Sequence, residues 1–410
     1  MNGINLADSV FVFLGTVLVM FMTPGLSLFY GGMVRSKNVL NTTLHSYAVM
    51  FIVSIQWILI GYSLSFGTSI NGFIGNLQYV FLNGVGFEPN PAYAASIPQN
   101  LFMMFQLMFA IITPALISGA FAERIKFSSF LVFITLWVFL VYDPVANWVW
   151  GDGGWLRTLG ALDFAGGNVV HITSGVAGLI VAIVLGKRRN LKSIAPHQVQ
   201  MVVFGAGVLL FGWFGFNACS ALGFNDIAML AFITTNTAAA MGAIGWLIFE
   251  WIYFKKPTAM GGASGLVAGL VSITPGAGFV SPMAAIAIGF IGGSLCFFAV
   301  SFLKSKFGYD DALDAFGCHG IGGTWGGIAV GLFAQKALNS AGADGLFHGG
   351  SLLWKQLVAI GATYLYTAVV TFIILMIVKK TMGLRSSAKE EDDGLDISYH
   401  GEVAYREFNI

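Results

Sequence analysis

The sequence predicts an all-α membrane protein with eleven transmembrane helices, and three observations carry that reading. Of 410 residues, 57% are hydrophobic and only 10% charged, a balance that soluble domains do not reach. Apolar runs of about 20 residues, the length that crosses a ~30 Å hydrocarbon core, recur along nearly the whole chain. The basic residues gather in alternate loops between those runs. The net charge of +1 says nothing useful about partners, and no basic patch suggests nucleic acid.

The runs fall at roughly 9–31, 41–67, 99–120, 127–147, 168–186, 199–221, 226–254, 259–274, 282–303, 318–335 and 352–378. The first is preceded by no basic residue and carries Asp8 close by, so it reads as a retained helix rather than a cleaved signal. After it come Arg35 and Lys37; after the third run, Arg124 and Lys126; after the fifth, the "GKRRNLK" cluster of Lys187, Arg188, Arg189 and Lys192. Lys255 and Lys256 follow the seventh, Lys304 and Lys306 the ninth, and Lys379, Lys380, Arg385, Lys389 and Arg406 the last. Every basic residue except Arg157, Lys336 and Lys355 therefore lies on one side. The positive-inside rule places the N-terminus outside and the C-terminus in the cytoplasm, which requires an odd number of spans. Cys219, Cys296 and Cys318 lie in or beside apolar runs without metal-ligand spacing, so they read as small packing residues.

Runs one to five occupy about 9–186 and runs six to ten about 199–335, with one extra helix at about 352–378 and a polar tail. Because five is odd, two successive five-helix units enter the membrane from opposite sides, as an inverted repeat. A sequence echo supports this. "DFAGGNVVHITSGVAG" (163–178) and "DAFGCHGIGGTWGG" (314–327) each run from Asp through Phe and Gly to His and then to small residues. His171 and His319 would lie roughly 20 Å apart in depth if both helices started at the membrane surface. Glycine-rich segments that dip inward from opposite faces would bring the two imidazoles together, a backbone path tolerated only under protein cover. The other histidines, His45, His197, His348 and His400, are assigned to helix ends, loops or the tail.

Intramembrane ionisable side chains line pathways or relays. Two neutral imidazoles, each with one donor and one acceptor nitrogen, suit a small hydrogen-bonding substrate better than a hydrated metal cation. In "GWFGFNACSALG", Trp213, Phe216 and Ser220 share one helix face, and Phe105 and Phe109 share another in "NLFMMFQLMF". Trp150, in "NWVWGDGGW", reads either as an interfacial anchor or as part of a cation-binding vestibule. An indole face, a phenyl ring and a serine oxygen together hold a small cation by about 0.5–2 kcal/mol of cation–π attraction plus a hydrogen bond.

On these stretches, and on "TPGLSLFYGGMVRSKNVLN" (23–41), "GAFAERIKF" (119–127) and "SGLVAGLVSITP" (264–275), the chain resembles the Amt/Rh ammonium transporter family, on its bacterial and archaeal Amt branch. The resemblance spans nearly the whole chain. It implies a five-plus-five inverted repeat plus a C-terminal helix within residues 1–385, a homotrimer with one pore per subunit, and no cofactor. It implies that Phe109, Trp150 and Ser220 recruit ammonium or methylammonium, that Phe109 and Phe216 form a stacked gate, and that Trp213 lines the pore. His171 and His319 match the family's twin histidines, and Asp163 matches an aspartate that orders the vestibule backbone. The residues alone give Asp163 a second reading, as a cap for orphan N–H groups at a helix start. For the tail, 386–410, the resemblance implies an ordered regulatory segment that contacts neighbouring subunits and answers to a cytoplasmic PII-type signal protein. Its acidic composition alone reads as a solvated, disordered run. Asp143, Asn147 and Cys219 depart from the family pattern near the vestibule.

The expected activity is therefore uptake of ammonium across the cytoplasmic membrane, by deprotonation, conduction of NH3 and return of the proton through the histidines. The alternatives are a sensor acting through a partner and a passive gas channel for NH3 or CO2. A haem protein ligated by His171 and His319 is a remote third class, disfavoured by crowding from Phe109, Phe216 and Trp213. No enzymatic activity is expected.

Overall fold

The computed structural model describes residues 3–189 and 195–405; Lys192 and Arg406 lie outside them. The described chain is mostly helical, with one short antiparallel hairpin, Ser69–Ile70 with Ile74–Gly75, after the second rod. Its rods are α1 (Leu6–Met33), α2 (Ser36–Phe66), α3 (Gln99–Phe121), α4 (127–150), α5 (Gly167–Leu185) and α6 (Val199–Ala221). They continue as α7 (Asp226–Phe254), α8 (Ala259–Ile273), α9 (Pro282–Phe307), α10 (316–333) and α11 (Leu352–Met382). Each predicted run coincides with one rod. Among the described residues nine helices are long and apolar enough to cross a membrane, and α8 and α10 are not among them. At 1.5 Å per residue the 15 residues of α8 reach only about 22 Å.

Side-chain caps start four rods: Asn5 for α1, Asn225 for α7, Thr258 for α8 and Ser281 for α9. Each oxygen accepts an N–H that the first turn leaves unpaired. Large apolar side chains face outward, among them Phe13, Val17 and Phe21 on α1, Trp251 on α7 and Phe372 on α11. Such exposed apolar faces are what lipid contact requires and what a water-soluble surface avoids.

The helices are not uniform. π turns interrupt α2 at Trp57–Gly61, α4 at Val138–Tyr142 and α9 at Ala299–Leu303. Two more open α5 and α10, at Gly167–Ile172 and Phe316–Gly320, and these carry His171 and His319. The fourth and fifth rods of each successive set of five thus bear a π turn. Where α5 and α10 cross, the backbones touch: a Cβ on Gly175 would lie 2.2 Å from the Gly320 nitrogen. Only glycine permits that approach.

At the end that carries the basic loops, a buried ion network ties four connections together. Glu123 accepts from Arg35 Nε at 2.9 Å and from Arg188 Nη1 at 3.3 Å, and Asp310 accepts from Arg188 Nη2 at 2.9 Å. Arg124, fully buried, donates to the Ala120 carbonyl. The tail docks on this network. Leu384 and Ser386 pair with the backbone of Lys126 and Arg124, and a short helix, α12 (Ala388–Asp393), and a π turn (Asp396–His400) follow. Arg385 grips Glu391 with two hydrogen bonds, 2.6 and 2.9 Å. Asp396 accepts the backbone N–H groups of Leu40 and Asn41, at 3.0 and 2.8 Å. Composition pointed to a solvated tail; specific partners on α2 and the loops order residues 384–400 instead.

One expectation about histidine placement needs correction. His45 is not at a helix end. It lies within the first third of α2, past its opening turns and fully buried, with its ring 4.3 Å from Phe130, 5.6 Å from Phe121 and 5.7 Å from Phe127.

Candidate functional site

Eight residues singled out from sequence fall into two cavities that meet at one pair of phenyl rings. The outer cavity, ≈ 390 Å³, is lined by Phe109, Trp150, Asp163 and Ser220, with Gln106 and Leu222. The inner one, ≈ 20 Å³, is lined by His171, Trp213, Phe216 and His319 together with Leu26 and Val170. The rings of Phe109 and Phe216 stand between them, 4.3 Å apart and tilted by 36°.

Trp150 is the last residue of α4, not beyond its end, because the helix runs three residues further than its apolar run. Its indole N–H donates to the Asp163 carbonyl at 2.9 Å, and the ring meets Phe109 edge-on at 5.9 Å. Ser220, in a closing 3-10 turn of α6, donates its O–H to the Phe216 carbonyl at 2.8 Å, which leaves the oxygen lone pairs free to accept. π faces and acceptor oxygens suit this cavity to a small cation that is also a hydrogen-bond donor; Arg157 lines it too, its guanidinium donating to the Trp150 and Ala92 carbonyls.

Asp163 organises the entry to α5. Its two oxygens accept the N–H groups of Gly166, Gly167, Asn168 and Val169, at 2.8, 2.6, 2.7 and 3.3 Å. Burial pushes its carboxyl up, while these four bonds pull it back toward the ionised form. Gly166 makes the turn possible with φ of +116°, a conformation that L residues avoid.

The π turns of α5 and α10 bring the two imidazoles edge to edge. Their Nδ1 atoms are 3.3 Å apart, and the ring centroids lie 5.3 Å apart with planes 20° from parallel. One Nδ1 must donate and the other accept, so the two rings hold opposite tautomers, with one Nε2 a donor and the other an acceptor. Exchanging those roles takes three linked transfers: the shared proton crosses between the Nδ1 atoms, the Nε2 of the receiving ring releases its proton, and the Nε2 of the other ring takes one up. His171 also stacks on Trp213 at 5.4 Å and on Phe216 at 6.1 Å. Its Nε2 is buried with no partner. The remaining walls are apolar, and the volume admits about one water-sized molecule.

Three contributors went unseen in the sequence. Thr274 accepts the Trp213 indole N–H at 2.9 Å and so fixes that ring; it sits inside the quoted "SGLVAGLVSITP" stretch, but no periodicity marks it. Gln106, one turn before Phe109, lines the outer cavity. Asp311, rather than Asp314, is the structural mate of Asp163: it accepts the N–H groups of Ala315 and Phe316 at 3.1 and 2.7 Å and starts the turn of His319. Each aspartate precedes its histidine by the same interval, a spacing that the sequence itself carries. Asp314 has φ of +62° and pairs with Lys304 instead. Burial and the nearby Asp314 raise the Asp311 carboxyl. Cys219 lies outside both cavities, against the Phe11 carbonyl. Among the described residues no group of three or more His, Cys, Asp or Glu side chains is placed to hold a metal ion.

The chain matches a family model described as the Ammonium Transporter Family over residues 10–405. It is 59% identical over 404 residues to an ammonium transporter of Bacillus subtilis, covering 98% of this chain and 99% of that one. It is 48% identical over 394 residues to ammonium transporter Amt1 of Archaeoglobus fulgidus, covering 95% and 97%. Its fold matches the crystal structure of Saccharomyces cerevisiae Mep2 with a TM-score of 0.88 at 37% identity, over 95% of this chain and 89% of that one. A structure described as a sensor Amt protein matches with a TM-score of 0.88 at 30% identity, over 96% and 98%. With its many apolar helices this is a multi-pass protein of the cell membrane, and it belongs to the ammonium transporter family.

Proposed function

We propose that this protein transports ammonium across the cell membrane by admitting NH4+ to the outer cavity and passing NH3 through the inner one. The carrying observation is the change of environment across the Phe109–Phe216 pair, from ≈ 390 Å³ with indole and hydroxyl groups to ≈ 20 Å³ with apolar walls and two imidazoles. Size does not distinguish NH4+ from NH3 here; desolvation does. An unpaired cation in an apolar bore costs far more than a neutral molecule that hydrogen-bonds once or twice. Trp150, Ser220 and Phe109 recruit the ion, and Phe109 with Phe216 gates the passage. His171 and His319, with Trp213 beside them, accept and donate along the bore, and their shared Nδ1–Nδ1 contact offers the released proton a path. Transport is then electrogenic. Asp163 holds the vestibule backbone that presents Trp150.

The same reading takes residues 1–385 as the transport domain, crossing the membrane eleven times with the N-terminus outside and the C-terminus inside. The π turns repeated in the fourth and fifth rods of each half support an inverted repeat at 9–186 and 199–335. Assembly is as a homotrimer. The tail, 386–410, offers a cytoplasmic face to a PII-type signal protein. Family names support transport over a sensing role, since the matched curated relatives are named ammonium transporters.

Proteoliposomes given an inward ammonium gradient test this. Wild type is expected to carry a current, and His171→Ala to lose it by at least about tenfold, because the proton path is cut. Ammonia flux without current in the wild type would reduce the protein to a gas channel.

A further inference from the structure

One buried group has no part in the two cavities. Asp143 is fully buried in α4, and among the described residues it makes no ion pair. A buried carboxyl without a cation is costly, and inside a membrane protein such a group marks a functional device. Its two oxygens accept from neutral donors on α2: Oδ2 from Gln56 Nε2 at 2.8 Å and Oδ1 from Ser65 Oγ at 3.1 Å. Gln56 immediately precedes the π turn of α2, and Asp143 immediately follows the π turn of α4. The bridge therefore joins two helices at the places where each changes its helical phase.

From Asp143 the same face of α4 continues through Asn147 to Trp150, positions i, i+4 and i+7. Asn147 is tied to the same partner segment. Its Nδ2 donates to the Ser65 carbonyl at 3.1 Å, and its Oδ1 accepts from Ser69 Oγ at 2.6 Å. Ser65 thus binds both residues, by its hydroxyl and by its carbonyl. A π turn sets the rotation of everything after it, so the eight residues from Asp143 to Trp150 depend on this tether for their angle about the helix axis.

We infer that Asp143 is a positioning residue for Trp150: with Gln56, Ser65 and Asn147 it fixes the rotation of the last turns of α4 and so the angle at which the indole faces the outer cavity. The inference rests on the proposed recruitment role of Trp150 only for its effect on transport. The group acts as an acceptor, not as a charge. Gln56 Oε1 has no partner, so in Asp143→Asn the Gln56 amide can turn over and accept from the new Nδ2 while Ser65 still donates to Oδ1.

The test combines methylammonium uptake kinetics with 19F NMR of protein labelled with 5-fluorotryptophan, the Trp150 resonance being assigned from Trp150→Phe. Asp143→Ala is expected to shift that resonance and raise KM roughly five- to tenfold with a smaller change in maximal rate, as misorientation of a binding group does. Asp143→Asn is expected to restore both to within about twofold. Should Asp143→Ala fail to fold, Ser69→Ala, which removes one bond to Asn147, is expected to move both readouts in the same direction by less. An unmoved Trp150 resonance in Asp143→Ala, or in Ser69→Ala where that stands in, overturns the inference. So does an Asp143→Asn variant as impaired as Asp143→Ala, which would make the charge the working feature. A shifted resonance with unchanged KM leaves the positioning role standing and defeats the recruitment role of Trp150.

Discussion

Aspartates organise several parts of this structure, through more than one kind of partner. Asp163 and Asp311 use backbone N–H groups to begin the two histidine turns. Asp310 uses arginine. Burial alone would raise its carboxyl, but hydrogen bonds and charge from Arg188, with Arg124 nearby, hold it down at about 2. Its ionised form is therefore the stabilising one. The contribution is complete above about pH 4, where an unfolded Asp is ionised, and is lost as the pH falls through about 2. Asp310→Asn is expected to cost about 2 kcal/mol at pH 7, seen as a lower Tm in matched detergent, with the gap to wild type closing below pH 4. A gap that stays constant down to pH 2.5 would count against the ion pair. Of these residues only Asp163 was legible in sequence, through its glycine-rich neighbourhood. Asp311 is masked in the sequence by Asp314, which stands closer to the Phe-Gly-His echo.

At the scale of elements, hydropathy alone located every rod, because a lipid-facing or buried helix has to be apolar over its length. The π turns were not legible. They depend on which backbone N–H groups find partners after packing, and no residue type specifies them. The crossing of α5 and α10 shows what they achieve: Gly175 against Gly320 lets His171 and His319 come within 3.3 Å. Gly175→Ala would place a methyl group 2.2 Å from a backbone nitrogen. The expected outcome is a loss of about 1–3 kcal/mol by overpacking and of more than about tenfold in uptake as the imidazoles separate. Gly361→Ala on α11, where no atom lies within 4 Å, serves as the control and is expected to leave uptake unchanged. Equal uptake by both variants would mean that the close crossing is unimportant.

For the whole molecule, the tail joins parts of the chain far apart in sequence. Two contacts of opposite kinds fasten it: Arg385, which donates to the Leu185 carbonyl, grips Glu391 within the tail, and Arg189 of the basic loop reaches Asp392. Arg385 with Glu391 is bidentate, and Glu391 is 2% exposed at its side chain; Arg189 with Asp392 is about half exposed on both sides. Exposed pairs contribute about 0–1 kcal/mol, whereas a largely buried bidentate pair contributes more. Glu391→Gln is therefore expected to speed amide exchange over residues 388–400 roughly tenfold, and Arg189→Gln to change it less than about twofold. Equal effects would place the tail's docking energy elsewhere, with Asp396 at the start of α2 the next contact to remove.

The sequence by itself determined that the chain is a helical membrane protein, where its rods lie, and which aromatic and imidazole side chains are out of place in lipid. These follow from composition and from 3.6-residue periodicity, which act locally along the chain. Only the tertiary structure decided that Phe109 and Phe216 part a wide cavity from a narrow one, that the imidazoles share an Nδ1–Nδ1 contact, and that Asp143 reaches Gln56 and Ser65. Those depend on helix rotation and crossing, which backbone hydrogen bonding and glycine contacts set jointly for elements far apart in sequence.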